Sequence, residues 1–179
     1  LEFRRVLFRS APPGVGAEEW QLRLVAAMYR GGMADSASAA LKRLFDGRTT
    51  LPPEPMQRGI AIAQELLDAW QASPANELLQ RLLPLAVVPQ HRRDLHFALG
   101  RSAELLGQHR AAGEHYLLSA TTVDARSQDA AAQAARQLAA TSFARAGLRE
   151  DARAQFEWLL KLPRDPAQQE ALRRELRRL

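Results

Sequence analysis

The sequence predicts an all-α protein built from repeated helical hairpins, on three observations. Ala, Leu and Arg dominate while aromatic residues make up only 6% of the chain, a composition that favours helix over sheet. Apolar residues recur at intervals of three and four along most of the sequence. One pattern also occurs twice: Gly107, Ala112, Tyr116 within Leu95 to Ala120, and Gly147, Ala152, Phe156 within Leu138 to Leu160. Each is a glycine, an alanine five residues on, and an aromatic four further.

In chain order, Leu1 to Ser10 (LEFRRVLFRS) reads as the in-frame translation of a sequencing adapter, all ten codons in order, and is set apart as one would a fusion scar. The alternative is a basic amphipathic arm. On the adapter reading the natural N-terminus is missing and a signal peptide is unobservable, so the compartment stays open between cytoplasm, periplasm and cell envelope. Three arginines and one glutamate in this segment account for +2 of the formal +5, leaving a mild +3. Lys42 and Lys161 are the only lysines, and the Arg, Ala and Leu excess fits a GC-rich bacterial genome better than nucleic-acid binding. Ala11 to Gly16 is a flexible lead-in.

From Ala17, Trp20, Leu22, Leu24, Val25, Met28 and Tyr29 form a first helical stripe that ends at Gly31-Gly32. A second helix carries Ala37, Leu41, Leu44 and Phe45, with Asp35 or Ser36 to cap it and Gly47 to end it. Leu51 to Pro55 (LPPEP) is a stiff connection, because its prolines fix φ and remove donors. A third helix runs from Met56 to about Ala72. Ser73-Pro74 opens a fourth, which Pro84 breaks. Leu85 to Val88 is apolar, short, and strand-capable without an evident partner; Pro89 closes it. The fifth helix spans about Arg92 to Leu106, the sixth His109 to Ala120, the Ala-rich seventh Ser127 to Ala146, and the eighth Arg149 to Lys161. Asp165-Pro166 then caps a ninth. The organisation expected is residues 1–16 as adapter and lead-in, 17–163 as a helical repeat domain, and 164–179 as a C-terminal capping helix.

With turns placed at Gly32, Ser73, Gly107 and Gly147, the separations are 41, 34 and 40 residues. A tetratricopeptide unit is a helix–turn–helix of about 34 residues. Leu99-Gly100 with Gly107, Ala112 and Tyr116, and Phe143 with Gly147, Ala152 and Phe156, resemble that family's alternation of small and large residues. Met28, Gly32, Ala37 and Leu41 follow it more loosely. In the second unit Leu78 stands where a small residue is expected, and only Pro163 approximates the family's proline after the second helix. The resemblance covers roughly Glu19 to Leu162. It implies a right-handed superhelical array of about four hairpins. The alternative is a generic helical domain with one accidental internal similarity.

Signatures of chemistry are missing. The four histidines, His91, His96, His109 and His115, form no i,i+4 pair and no H-E-x-x-H, so no metal is expected; His115, beside Glu114, is expected to face solvent. There is no phosphate-cradling glycine loop, no nucleophile elbow and no cysteine. No apolar run approaches the roughly 20 residues of a membrane span. The chain is therefore expected to be non-enzymatic and to need no cofactor. The tail ALRRELRRL carries Arg173, Arg174, Arg177 and Arg178, but Glu170 and Glu175 offset them and no aromatics interleave. It reads as an amphipathic cap that buries Leu172, Leu176 and Leu179.

In the tetratricopeptide family the first helix of each hairpin lines a concave groove. Carried onto this chain, that resemblance implies a binding face of Tyr29, Arg30, Trp70, Gln71, Phe97, Arg101, Glu104, Gln137, Thr141 and Arg145. Aromatic anchors beside arginines suit an extended peptide or an acidic terminus. The expectation is a protein–protein interaction scaffold that takes a peptide or protein segment. The rivals are a docking module of a larger, truncated enzyme and a nucleic-acid-binding repeat.

Overall fold

The computed structural model describes residues 16–124, 126, 129–163 and 165–179. The adapter-like segment and the expected start of the seventh helix at Ser127 lie outside them. Nine α-helices occur among the described residues. They are α1 (Ala17–Arg30), α2 (Ala34–Phe45), α3 (Pro53–Asp68), α4 (Ala72–Leu82), α5 (Pro89–Leu105), α6 (His109–Thr121), α7 (Ala130–Arg145), α8 (Arg149–Leu160) and α9 (Pro166–Arg177). The chain divides into two compact units, residues 1–91 and 92–179.

In unit 1, α1 packs on α2 and α3, and α4 on α3 and α2. Its core is mainly aliphatic, with Leu22, Ala37, Leu41, Met56, Ala63, Leu66, Leu78, Leu79 and Leu82 all buried beside Tyr29 and Phe45. In unit 2, α6 packs on α7, α7 on α8, and α8 on α9. Its cores centre on Tyr116 and Phe143 with Ala103, Ala112, Ala139 and Ala152, and on Phe156 and Leu159 with Ala140 and Leu172. Within each unit the packing is largely between helices that follow one another in the chain, consistent with helical hairpins. Leu172 seals the end of the second cluster as expected; Leu176 and Leu179 pack against it only partly buried.

Four interhelical turns share one hydrogen-bond pattern. Met33 N–H donates to the Met28 carbonyl, Gln71 N–H to Leu66, Gln108 N–H to Ala103, and Leu148 N–H to Phe143. Each bond spans six residues and closes a helix C-terminus in the manner of a Schellman motif. The residue before each donor has positive φ: Gly32 at 73°, Trp70 at 60°, Gly107 at 72° and Gly147 at 77°. Glycine serves there because a Cβ is crowded at positive φ, and Trp70 bears that strain.

This pattern corrects the second turn. It lies at Trp70, not Ser73, and α4 opens at Ala72 instead of at Ser73-Pro74. The turn separations become 38, 37 and 40 residues, so the 34-residue interval disappears. Counting from the turn residue, position +5 holds Ala37, Ala75, Ala112 and Ala152, each fully buried. Position +9 holds Leu41, Leu79, Tyr116 and Phe156, all buried. Leu78 is therefore no exception to a small position; Ala75 fills it.

Three further expectations change. Pro89 opens α5 instead of closing the segment before it, since a first-turn proline loses no hydrogen bond. Leu83 to Leu85 is a 3-10 turn that absorbs Pro84, and no strand occurs among the described residues. The Leu85 carbonyl instead accepts from Leu51 N–H at 3.1 Å, which ties the connection before α3 to the end of α4. Pro53 and Pro55 of LPPEP sit inside the first turn of α3.

Candidate functional site

Each unit holds a glutamate that accepts from a buried tyrosine and a serine. In unit 2, α5 presents Glu104 to α6 and α7. Its carboxylate accepts from the Tyr116 hydroxyl at 2.8 Å, from Ser142 Oγ at 3.2 Å and from Arg145 Nη1 at 3.4 Å. Tyr116 is buried because Gly100 lets α5 and α6 approach: a Cβ on residue 100 would lie 2.6 Å from the Tyr116 ring. Burial, then the bond to Glu104, pushes the Tyr116 phenol far above its ordinary value, so it stays a neutral donor. In unit 1, Glu77 of α4 accepts from the Tyr29 hydroxyl and from Ser38 Oγ, both at 2.5 Å, and pairs with Arg81 at 3.6 Å. Burial pushes the Glu77 carboxyl up, but the Ser38 and Tyr29 bonds and the Arg81 charge outweigh it and hold it below the ordinary carboxylate range.

The expected binding residues fall into distinct settings. Glu104 and Arg145 meet directly. Phe97 is half-buried and packs edge-on against Tyr116, ring centroids 5.4 Å apart, so it belongs to the wall of the core. Arg101 is half-exposed on the same helix, one turn before Glu104. Gln137 and Thr141 line a cleft of about 620 Å³ between α7 and α9, opposite Gln168, Arg174, Glu175 and Arg178. Thr141 donates to the Gln137 carbonyl. Arg174 thus shares a polar cleft with α7, while Arg177 and Arg178 pair with Glu170 and Glu175.

In unit 1 the expected residues do not converge. Tyr29 is buried in the Glu77 cluster, and Arg30 pairs with Glu65 at 3.6 Å on the surface. Trp70 and Gln71 lie in the turn between α3 and α4, outside any first-helix face. Trp70 is 80% exposed, so it is not a core residue.

Sequence reasoning missed Ser38, Glu77 and Ser142, whose partners lie 48, 39 and 38 residues away. It also misplaced His115. That ring is half-buried against His96 across the α5–α6 hairpin, with Nδ1 to Nδ1 at 3.3 Å. The signal lay in the turn register. His96 and His115 stand 11 before and 8 after Gly107, as Arg136 and Gln155, joined by a 2.9 Å hydrogen bond, stand about Gly147. Arg136 also stacks over Trp158 at 3.9 Å.

No family profile, curated protein or solved structure matches this chain. Among the described residues no helix is long and apolar enough to cross a membrane, and no group of three or more His, Cys, Asp or Glu is placed to hold a metal ion.

Proposed function

We propose that this chain is a tetratricopeptide-like interaction module that binds an extended peptide or protein segment along the first helices of its hairpins, without catalysis. The observation behind it is the fourfold recurrence of one turn with a buried alanine at +5 and a large buried residue at +9. That small–large alternation is the one the family uses to stack hairpins into a superhelix. The 37 to 40 residue period exceeds the family's usual length, which longer connections such as residues 46–52 accommodate. Repeat stacking leaves one face of each first helix free of packing duties. In unit 2 the first helices carry Arg101, Thr141 and Arg145, donors suited to backbone carbonyls and acidic groups of an extended ligand, with the Glu104 carboxylate as an acceptor beside Arg145.

Selection from a random peptide display library, followed by calorimetry of the enriched peptides, tests this reading. Acidic or free-carboxylate peptides should be enriched. Arg101→Glu and Arg145→Glu should each weaken them about tenfold, or 1.4 kcal/mol. Failure to enrich any sequence, or affinities indifferent to both charge reversals, would overturn it.

A further inference from the structure

The repeat register isolates one pair of positions whose occupants change in size and polarity from hairpin to hairpin. Eleven residues before and eight after the turn residue, the side chains of the two helices meet in the third and fourth hairpins. The occupants are Gln21 and Ala40, Gly59 and Leu78, His96 and His115, and Arg136 and Gln155. A glycine with a leucine builds this hairpin as well as a polar pair does, so nothing in the scaffold demands two histidines.

What those histidines present is specific. Their Nδ1 atoms are 3.3 Å apart, ring centroids 5.5 Å apart, planes inclined by 30°. Two imidazole nitrogens bound to one tetrahedral zinc at roughly 2.05 Å must themselves lie about 3.3 Å apart. The rings come from different helices of a hairpin closed by the Gly107 turn, so the spacing is held by backbone and not by loop adjustment. Burial holds both rings toward the neutral form, His96 at about 4, helped there by His115 and Arg92 and resisted at His115 by Glu114. Neutral imidazole is the ligating species.

We propose that His96 and His115 form a two-imidazole site for a zinc-class divalent cation, its remaining coordination positions taken by water. Without metal, one neutral ring can donate Nδ1–H to the other's Nδ1. Binding requires only that this proton move to Nε2 of the same ring, so no net proton is released. A third protein ligand is not in reach among the described residues, which makes the site open and exchangeable.

Titration of the full chain with Zn²⁺ by calorimetry, alongside imidazole ¹⁵N spectra, tests the proposal. One Zn²⁺ per chain should bind, shift both Nδ1 resonances of His96 and His115, and raise the unfolding temperature. His96→Gln and His115→Gln should each lose at least tenfold in affinity, while His109→Gln keeps it. Binding that survives in the double variant would place the cation elsewhere and overturn the assignment. So would a wild-type chain, folded by circular dichroism, whose Nδ1 resonances are unmoved by excess Zn²⁺.

Discussion

The two units solve one problem with opposite chain roles. Each buries a tyrosine whose hydroxyl donates to a glutamate that also accepts from a serine. In unit 1 the tyrosine is on the first helix of a hairpin, α1, and the glutamate on α4; in unit 2 the glutamate is on a first helix, α5, and the tyrosine on its partner α6. Tyr29 and Glu104 occupy the same register, three residues before the turn residue. The +5 position is alanine and the +9 position a large buried residue in every hairpin, whereas this position exchanges an aromatic for a carboxylate. What recurs is volume, set by close packing; the polar network is assembled locally to satisfy a buried phenol.

The strongest way to break this comparison is to overfill equivalent small positions. Ala75→Trp and Ala112→Trp should each cost about 3 kcal/mol or more, because both side chains are fully buried between helices. Urea unfolding of each variant measures it, and a negligible cost for Ala75→Trp would return the second turn to Ser73.

A sharper contrast comes from the glycines. A Cβ at 100 meets the rigid Tyr116 ring at 2.6 Å, whereas a Cβ at 59 meets the Leu82 methyls at 2.8 Å, which can rotate away. Gly100→Ala should destabilise by roughly 1–3 kcal/mol. For Gly59→Ala the gain in helix propensity, about 1 kcal/mol, offsets most of the strain. Equal losses in thermal unfolding would mean that Leu82 is as immobile as the ring.

Trp70→Gly should stabilise by about 1 kcal/mol, since glycine accepts the left-handed backbone that the other three turns already give to glycine. A loss of stability would show that the exposed indole makes a contact worth more than its strain.

Acid should separate the units by where weakening begins. The His96 value falls from 6.5 in the unfolded chain to about 4 in the fold, so below pH 6.5 the unfolded state binds more protons. Its stabilisation is present above 6.5 and is lost as pH drops toward 4. Glu77 is also held below its ordinary 4.5, and its contribution fades only under that value. Metal-free protein unfolded at pH 7, 5.5 and 4 should lose stability in the first step, and His96→Gln should shrink that step, leaving the part owed to His115, whose buried ring is also held below its ordinary value.

Much of the helical framework was legible from periodicity and punctuation. Gly31-Gly32, Gly107 and Gly147 each announce a turn, because positive φ favours glycine over other residues. Trp70 hid the second turn: it is a residue type little expected there, and Ser73-Pro74 nearby is a stronger written signal. That one displacement moved Leu78 into the small position and produced a 34-residue interval. The residues expected to line a groove fall in different settings. Glu104 and Arg145 do meet, but Phe97 faces the core and Trp70 leaves the helix.

By itself, then, the sequence determined the helices, three of the four turns and the small–large spacing, since these follow from short-range sterics and the 3.6-residue period. Tertiary structure decided which polar groups face each other. The Tyr116–Glu104–Ser142 and Tyr29–Glu77–Ser38 clusters and the His96–His115 pair join residues far apart in sequence. Their meeting depends on how closely helices approach, and at Gly100 that distance is set by a missing side chain.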